Sequence, residues 1–284
     1  MRWHRYSSLV LAVIVLSQGY AQQPKNIVYR SSAKPSANVA ASLKNEELRG
    51  TLSWTFGGKS QRGWQLYEPL IQQFIQCEAP VGSEEFAAAL ATWQQGAGLG
   101  QSGMLDQTAW TKMVEQWQAC RSKDRALPTS ERLLTVAASE FYDPERPLEL
   151  RQVERETYAA YKRMIAAAAR DLSLTLDEQG GWAPTEKYLK IISAFRSPEY
   201  QQKLRQQSPQ AGRAGLAVHS PHFTGRALDL YVGGEPVSTK DANRAVQVNT
   251  KAYRWLVKNA GRFGFIPYFY EPWHWEYNPQ AARR

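Results

Sequence analysis

The chain has 284 residues, a formal net charge of +9, 43% hydrophobic and 21% charged residues, enough apolar mass for one or two packed domains. Its 19 Gly and 15 Pro are ordinary globular usage, which excludes collagen-like, coiled-coil, low-complexity and mainly disordered classes. The 10 Trp and 14 Tyr are many for this length; most belong in a core, and the rest suit a site that grips an extended polar polymer or peptide.

Arg2, His4 and Arg5 precede the apolar run Leu9 to Leu16, and in Gly19-Tyr20-Ala21 the small residues Gly19 and Ala21 lie three and one positions before a plausible cut. Residues 1–21 therefore read as a secretory signal peptide. The alternative, an uncleaved anchor, is weaker because the apolar run is too short for roughly 30 Å of hydrocarbon. No later stretch is apolar enough to span a membrane. Without Arg2 and Arg5 the charge is still +7, which suits an anionic wall polymer or lipid head groups. Nucleic acid is disfavoured, since the Lys and Arg are scattered and accompany no nucleic-acid motif. The expected location is exported, either periplasmic or cell-wall-associated.

Residues 22–61 are polar, include Ser-Ser-Ala-Lys-Pro-Ser-Ala at 31–37 and show no sustained period, which predicts a linker or disordered arm. A small helical domain is expected over 62–122. Leu66, Leu70, Ile71, Phe74 and Ile75 recur at helical spacing; Ser83 with Glu84 and Glu85 opens a second helix carrying Phe86, Leu90 and Trp93. Gly96 to Gly100 breaks it, and a third helix starts at Asp106 with Trp110, Met113, Val114 and Trp117 inward. The piece Phe86 to Val114, which includes "FAAALATWQQGAGLGQSGMLDQTAW", resembles the peptidoglycan-binding repeat found beside many cell-wall hydrolases. Cys77 and Cys120 are the only cysteines, and an even pair in an oxidising compartment predicts one disulfide, with two free thiols as the alternative. Without more Cys or nearby His they do not make a zinc site.

Residues 123–148, with Pro128, Pro144 and Pro147, read as a connector holding a short helix at 130–141. A second domain is expected over 149–284. Leu150 to Ala168 marks a long amphipathic helix, Tyr188 to Phe195 a strand, Ser197 a helix cap followed by Pro198 and Glu199, and Ala227 to Val232 a second strand. A helix through Tyr253, Leu256, Val257 and Ala260 stops at Gly261, and Phe263 to Tyr277 reads as an aromatic-rich hairpin. The fold class is α+β: a small antiparallel sheet flanked by helices, preceded by the helical domain.

Apart from His4, the histidines His219, His222 and His274 all lie in two short segments. In "SPHFTGRALD" the strand places Asp229 among apolar neighbours, where a carboxylate needs a positive partner. In "EPWH" a second imidazole, His274, accompanies a second carboxylate, Glu271. Three N/O ligands with an open fourth position are the donor set of a catalytic Zn²⁺. His222, Asp229 and His274 supply that count, which leaves Glu271 as a general base.

These two segments match S-x-H-x-x-G-x-A-x-D and E-x-W-H, and with "SAFRSPEYQ" the stretch from about Leu148 to Tyr277 resembles the zinc D-alanyl-D-alanine metallopeptidases of the VanY type, within the fold shared by lysostaphin and hedgehog proteins. The resemblance implies that His222, Asp229 and His274 bind zinc and that Glu271 carries a proton from water to the leaving amine. It implies that Arg196 stabilises the oxyanion and that Ser220 and Gln201 support the substrate. Trp273 is a candidate substrate wall, and His219 has no motif role. Phe195 and Phe223 depart from commoner family residues, which leaves metal binding intact and fine specificity open. The implied activity is a D,D-carboxypeptidase acting on peptidoglycan stem peptides, with D,D-dipeptidase, L,D-carboxypeptidase and cross-link endopeptidase as near alternatives. A non-catalytic wall-binding protein would be of another class, and retention of both Glu271 and Arg196 argues against it.

Overall fold

Local capping starts the main helices. Ser83 Oγ accepts from Phe86 N (3.1 Å), Asp106 Oδ1 from Ala109 N (2.9 Å), Glu154 Oε2 from Thr157 N (2.9 Å) and Thr250 Oγ1 from Tyr253 N (3.1 Å), so each helix begins where a side chain satisfies an otherwise orphaned amide. The computed structural model describes residues 37–207 and 219–280. The signal expected over 1–21, and residues 22–36 of the expected arm, lie outside the described residues.

The first lobe comprises α1 (Ala37–Thr51), a hairpin of β1 (Ser53–Phe56) and β2 (Lys59–Arg62), α2 (Glu68–Phe74), α3 (Glu84–Gly96) and α4 (Gln107–Cys120). The arm reading fails over 37–61, because α1 and the hairpin are ordered parts of this lobe. The sequence concealed this because α1 carries only a short apolar face. What holds it is largely polar: Asn45, 0% exposed, donates to Gly103 O and accepts from Leu105 N, both at 2.8 Å. Replacing Asn45 by Ala leaves that amide and that carbonyl without partners. The expected cost is about 1–3 kcal/mol, read as a lower urea midpoint with unchanged slope.

Two further expectations are corrected. Cys77, half-buried just beyond α2, and Cys120, exposed at the end of α4, are free thiols and not the expected disulfide. Count and compartment suggest pairing, but a bridge requires Cα atoms within about 7 Å, which is a tertiary matter. The short helix expected at 130–141 is instead β3 (Leu133–Thr135) between single turns of 3-10 helix, paired antiparallel with β4 (Gln152–Glu154).

Behind β4 the chain enters α5 (Arg155–Leu172), whose Ala160, Tyr161, Met164, Ile165 and Ala168 are fully buried. They face a sheet of β5 (Ile191–Ser193), β6 (Ala227–Leu230), β7 (Phe265–Pro267) and β8 (His274–Tyr277), antiparallel throughout in the order β5-β6-β8-β7. α6 (Pro198–Gln207) follows β5, and α8 (Lys251–Asn259) is the expected helix near the C-terminus; α7 (Asp241–Val248) was not foreseen. The α+β expectation matches. No helix among the described residues is long and apolar enough to cross a membrane.

The sequence also suggested two separate domains at 62–122 and 149–284. Instead, residues 35–284 cluster as one unit. The turn between β7 and β8 explains it, since Tyr268, Phe269 and Tyr270 enter the core of the first lobe. The Phe269 ring sits 4.8 Å from Phe56, 5.5 Å from Tyr67 and 5.6 Å from Trp117, centroid to centroid. Arg244 adds hydrogen bonds to Tyr67 Oη (2.9 Å) and Tyr270 O (3.2 Å).

Candidate active site

Strand register assembles the site. In the β6–β8 ladder Asp229 stands opposite His274, and in the β5–β6 ladder Ser193 stands opposite Asp229. Opposed residues of an antiparallel pair project side by side on one face, so Asp229 Oδ1 lies 2.9 Å from His274 Nδ1. His222 arrives from a 3-10 turn, Pro221–Thr224, whose Ser220 Oγ accepts from His222 N at 3.3 Å. Gly225 closes that turn at φ 67°, where a side chain would be strained and its Cβ crowded at 3.1 Å from Glu154 Cβ. Arg196 N donates to His222 O (3.2 Å), which ties the turn to the end of β5. His222 Nε2 then lies 3.2 Å from Asp229 Oδ1, with the two imidazole centroids 5.0 Å apart.

The hydrogen bonds around these rings test whether a cation fits. His222 Nδ1 is 2.6 Å from Ala194 O, which can only accept, so that nitrogen carries a proton. His274 Nε2 is 3.3 Å from Glu276 Oε1, another acceptor. Both outer nitrogens therefore donate, and the inner atoms, His222 Nε2, His274 Nδ1 and Asp229 Oδ1, turn lone pairs toward one another. One donor atom from each of the three residues lies within 4.8 Å of the others, and all three residues are buried. Three convergent acceptors need a shared positive charge, and two nitrogens with one oxygen are suitable ligands for Zn²⁺. The residues fit the ion. Burial opposes charge on His274, but the bonds to Asp229 and Glu276 outweigh it and raise the imidazole to about 9. Burial, helped by the Arg196 charge, pushes His222 down to about 4.

Glu271 sits at the tip of the β7–β8 hairpin, 7% exposed, its backbone fixed by bonds from Glu271 N to Tyr268 O (3.1 Å) and from His274 N to Glu271 O (2.9 Å). Burial pushes its carboxyl up to about 8, although the cationic His274 opposes the shift. Arg196 donates to Asp229 Oδ2 (2.5 Å), Ser193 Oγ (2.9 Å) and Gln201 Oε1 (3.4 Å). Gln201, 2% exposed, thus holds the guanidinium, while Ser220, 3% exposed, caps the His222 turn. Two of the five guanidinium N–H groups of Arg196 remain for an incoming oxygen.

Trp273, the candidate substrate wall, lies one residue before His274. It is 2% exposed and belongs to the hydrophobic core cluster of this lobe. His219 is exposed and offers only its carbonyl, to Arg125 Nε at 3.0 Å. Sequence reasoning missed Glu276 and Arg121. Glu276 was legible, because residues i and i+2 of a strand share a face and it follows His274 at that spacing. Burial resists its ionisation, yet bonds from His274 and the charge of Arg121 hold it down at about 2. Arg121, from the other lobe, had no local signal.

Residues 150–280 match the family model of VanY, D-alanyl-D-alanine carboxypeptidase. The segment is a VanY-type domain. It contains the three candidate ligands together with Glu271, Arg196, Ser220 and Gln201. Among solved structures, the LdcB LD-carboxypeptidase, described as revealing the molecular basis of peptidoglycan recognition, is 24% identical. The match covers 56% of this chain and 72% of that one, with a TM-score of 0.40. No curated protein matches the chain. The VanY-type domain begins just before α5 and ends after β8, so the first lobe and Arg121 lie outside it.

Proposed function

We propose that this protein is an exported zinc peptidase that removes the terminal D-alanine from peptidoglycan stem peptides. The observation that carries the reading is the convergence of three potential ligand atoms, His222 Nε2, Asp229 Oδ1 and His274 Nδ1, beside a buried carboxyl within a VanY-type domain. These three residues would hold the Zn²⁺, which when bound supplies Lewis acidity toward a peptide carbonyl and makes water more acidic.

The chain's own groups divide the remaining work. Glu271, raised toward neutrality by burial, takes the proton of the attacking water and delivers it to the nitrogen of the departing D-alanine, so that the C–N bond breaks without expelling an amide anion. Arg196, rigidly held by Ser193, Gln201 and Asp229, presents its remaining N–H groups to the developing oxyanion. Removal of a single terminal residue also requires a cation for the free carboxylate. Arg146 suits that role, because its Nε is fixed by Leu150 O (3.0 Å) while among the described residues no carboxylate lies within ion-pair distance of its guanidinium.

Digestion of purified muropeptides followed by mass analysis tests the reading. Pentapeptide stems are expected to lose one alanine, activity is expected to vanish with a chelator and return with Zn²⁺, and a C-terminal amide is expected to resist. Loss of alanine from tetrapeptides only would indicate L,D specificity, and opening of dimers an endopeptidase. Turnover that persists after complete metal removal would exclude the mechanism.

A further inference from the structure

We infer that the stretch Cys120–Arg125, leading out of α4 and lying outside the VanY-type domain, is a clasp that positions His274 through Glu276, so that the first lobe helps to present the metal ligands. The inference rests on the metal-centre reading above.

Four contacts define the clasp. Arg121 directs Nη2 (2.5 Å) and Nε (2.8 Å) to Glu276 Oε1, and Ser122 N donates to Glu276 Oε2 at 3.2 Å. Asn278 Nδ2, just beyond β8, donates to Cys120 O at 3.2 Å. Arg125 Nε donates to the carbonyl of His219, three residues before His222, at 3.0 Å. The clasp therefore touches both histidine-bearing segments. The Arg121 guanidinium also lies 3.9 Å over the ring of Tyr268, which is 5.8 Å from the His274 ring.

Charge at Glu276 sets orientation at His274. The Glu276 side chain is 3% exposed and its arginine partner 18%, so this carboxylate has exchanged most of its water for fixed donors. Both Glu276 oxygens accept from fixed donors, Arg121 and the Ser122 amide, which holds the carboxylate in one orientation. The His274 nitrogen facing it, Nε2 at 3.3 Å, must then donate, which leaves the Nδ1 lone pair toward Asp229. Remove Arg121, and Glu276 loses the grip that keeps it in place. The imidazole can then turn or change tautomer. Outer partners of this kind typically change metal affinity by about 10–100-fold.

The full chain is compared as wild type, Arg121→Met, Arg121→Lys, Glu276→Gln and the Arg121→Met/Glu276→Gln double variant, with Zn²⁺ affinity measured by competition with a chromogenic chelator. Arg121→Met is expected to weaken Zn²⁺ about 10–100-fold, and Arg121→Lys to recover most of that loss. The double variant is expected to bind no worse than the weaker single one, because both act through one contact. In Zn²⁺-loaded protein, nitrogen-15 and proton shifts of the His274 ring should report an Nε2–H hydrogen-bonded to Glu276 in wild type and a weakened bond in Arg121→Met. Unchanged affinity in Arg121→Met, or losses that add in the double variant, would overturn the clasp. If Arg121→Met does not fold, Arg121→Lys and Glu276→Gln decide: wild-type affinity in both refutes it. Failure of wild type to bind any divalent ion instead refutes the metal centre itself.

Discussion

Glu271→Gln lowers turnover on muropeptides by at least about a hundredfold while the protein keeps its fold and its Zn²⁺. The substitution preserves size and leaves the backbone bonds with Tyr268 and His274 in place, so the hairpin tip does not move. What disappears is the ability to accept a proton and return it. Steady-state kinetics show the loss in kcat, with little change in KM, because the group acts on the reaction and not on the resting substrate. Near-normal turnover would remove Glu271 from the mechanism.

A second readout comes from stability. The Glu271 carboxyl rises from an ordinary 4.5 to about 8 through burial, so between those values the folded state holds a proton that the unfolded chain has released. The stabilising contribution is complete below about 4.5 and is lost as pH rises through about 8. In metal-free protein, Glu271→Gln therefore shows a smaller fall in melting temperature across that window than wild type does.

His222→Ala acts on the other half of the site and abolishes both metal content and activity. The variant deletes one of three donor atoms, and the ion cannot recruit a replacement from a position formerly filled by a buried imidazole. Asp229 stays paired with Arg196 Nη2 (2.5 Å) and His274 Nδ1 (2.9 Å), so no unpartnered charge is left to unfold the protein. The Ala194 carbonyl loses a 2.6 Å hydrogen bond, a cost of about 1–3 kcal/mol. Elemental analysis of purified protein should give near-zero zinc with an unchanged far-ultraviolet spectrum. Ser220→Ala serves as the control, since it removes the cap of the same turn without touching a donor atom, and it should retain zinc. Full zinc occupancy in His222→Ala would strike it from the ligand set.

The reading of the N-terminal region shows where sequence patterns stop being informative. A polar stretch without sustained period predicted an arm over 22–61, yet α1 is held by a buried asparagine that bonds a loop almost 60 residues away. Periodicity detects apolar faces, and a helix docked through an amide leaves little such trace. The aromatic hairpin near the C-terminus was legible as a hairpin. That its tip would fill the core of another lobe was not, because Tyr268, Phe269 and Tyr270 look the same whether they pack at home or abroad. The thiols of Cys77 and Cys120 repeat the lesson, since pairing depends on a distance that no composition contains.

The sequence by itself determined the α+β class, the capped starts of α3, α4 and α6, and the likeness of two short motifs to a zinc peptidase, because each of these is written in neighbouring residues. Only the tertiary structure decided that β6 and β8 set Asp229 against His274, that Ala194 O and Glu276 fix which nitrogens face inward, and that Arg121 reaches the site from a different lobe. The physical reason is range. Caps and strand alternation act over a few residues, whereas the charge and hydrogen-bond state of a buried imidazole is set by whatever the folded chain brings within about 3 Å of it.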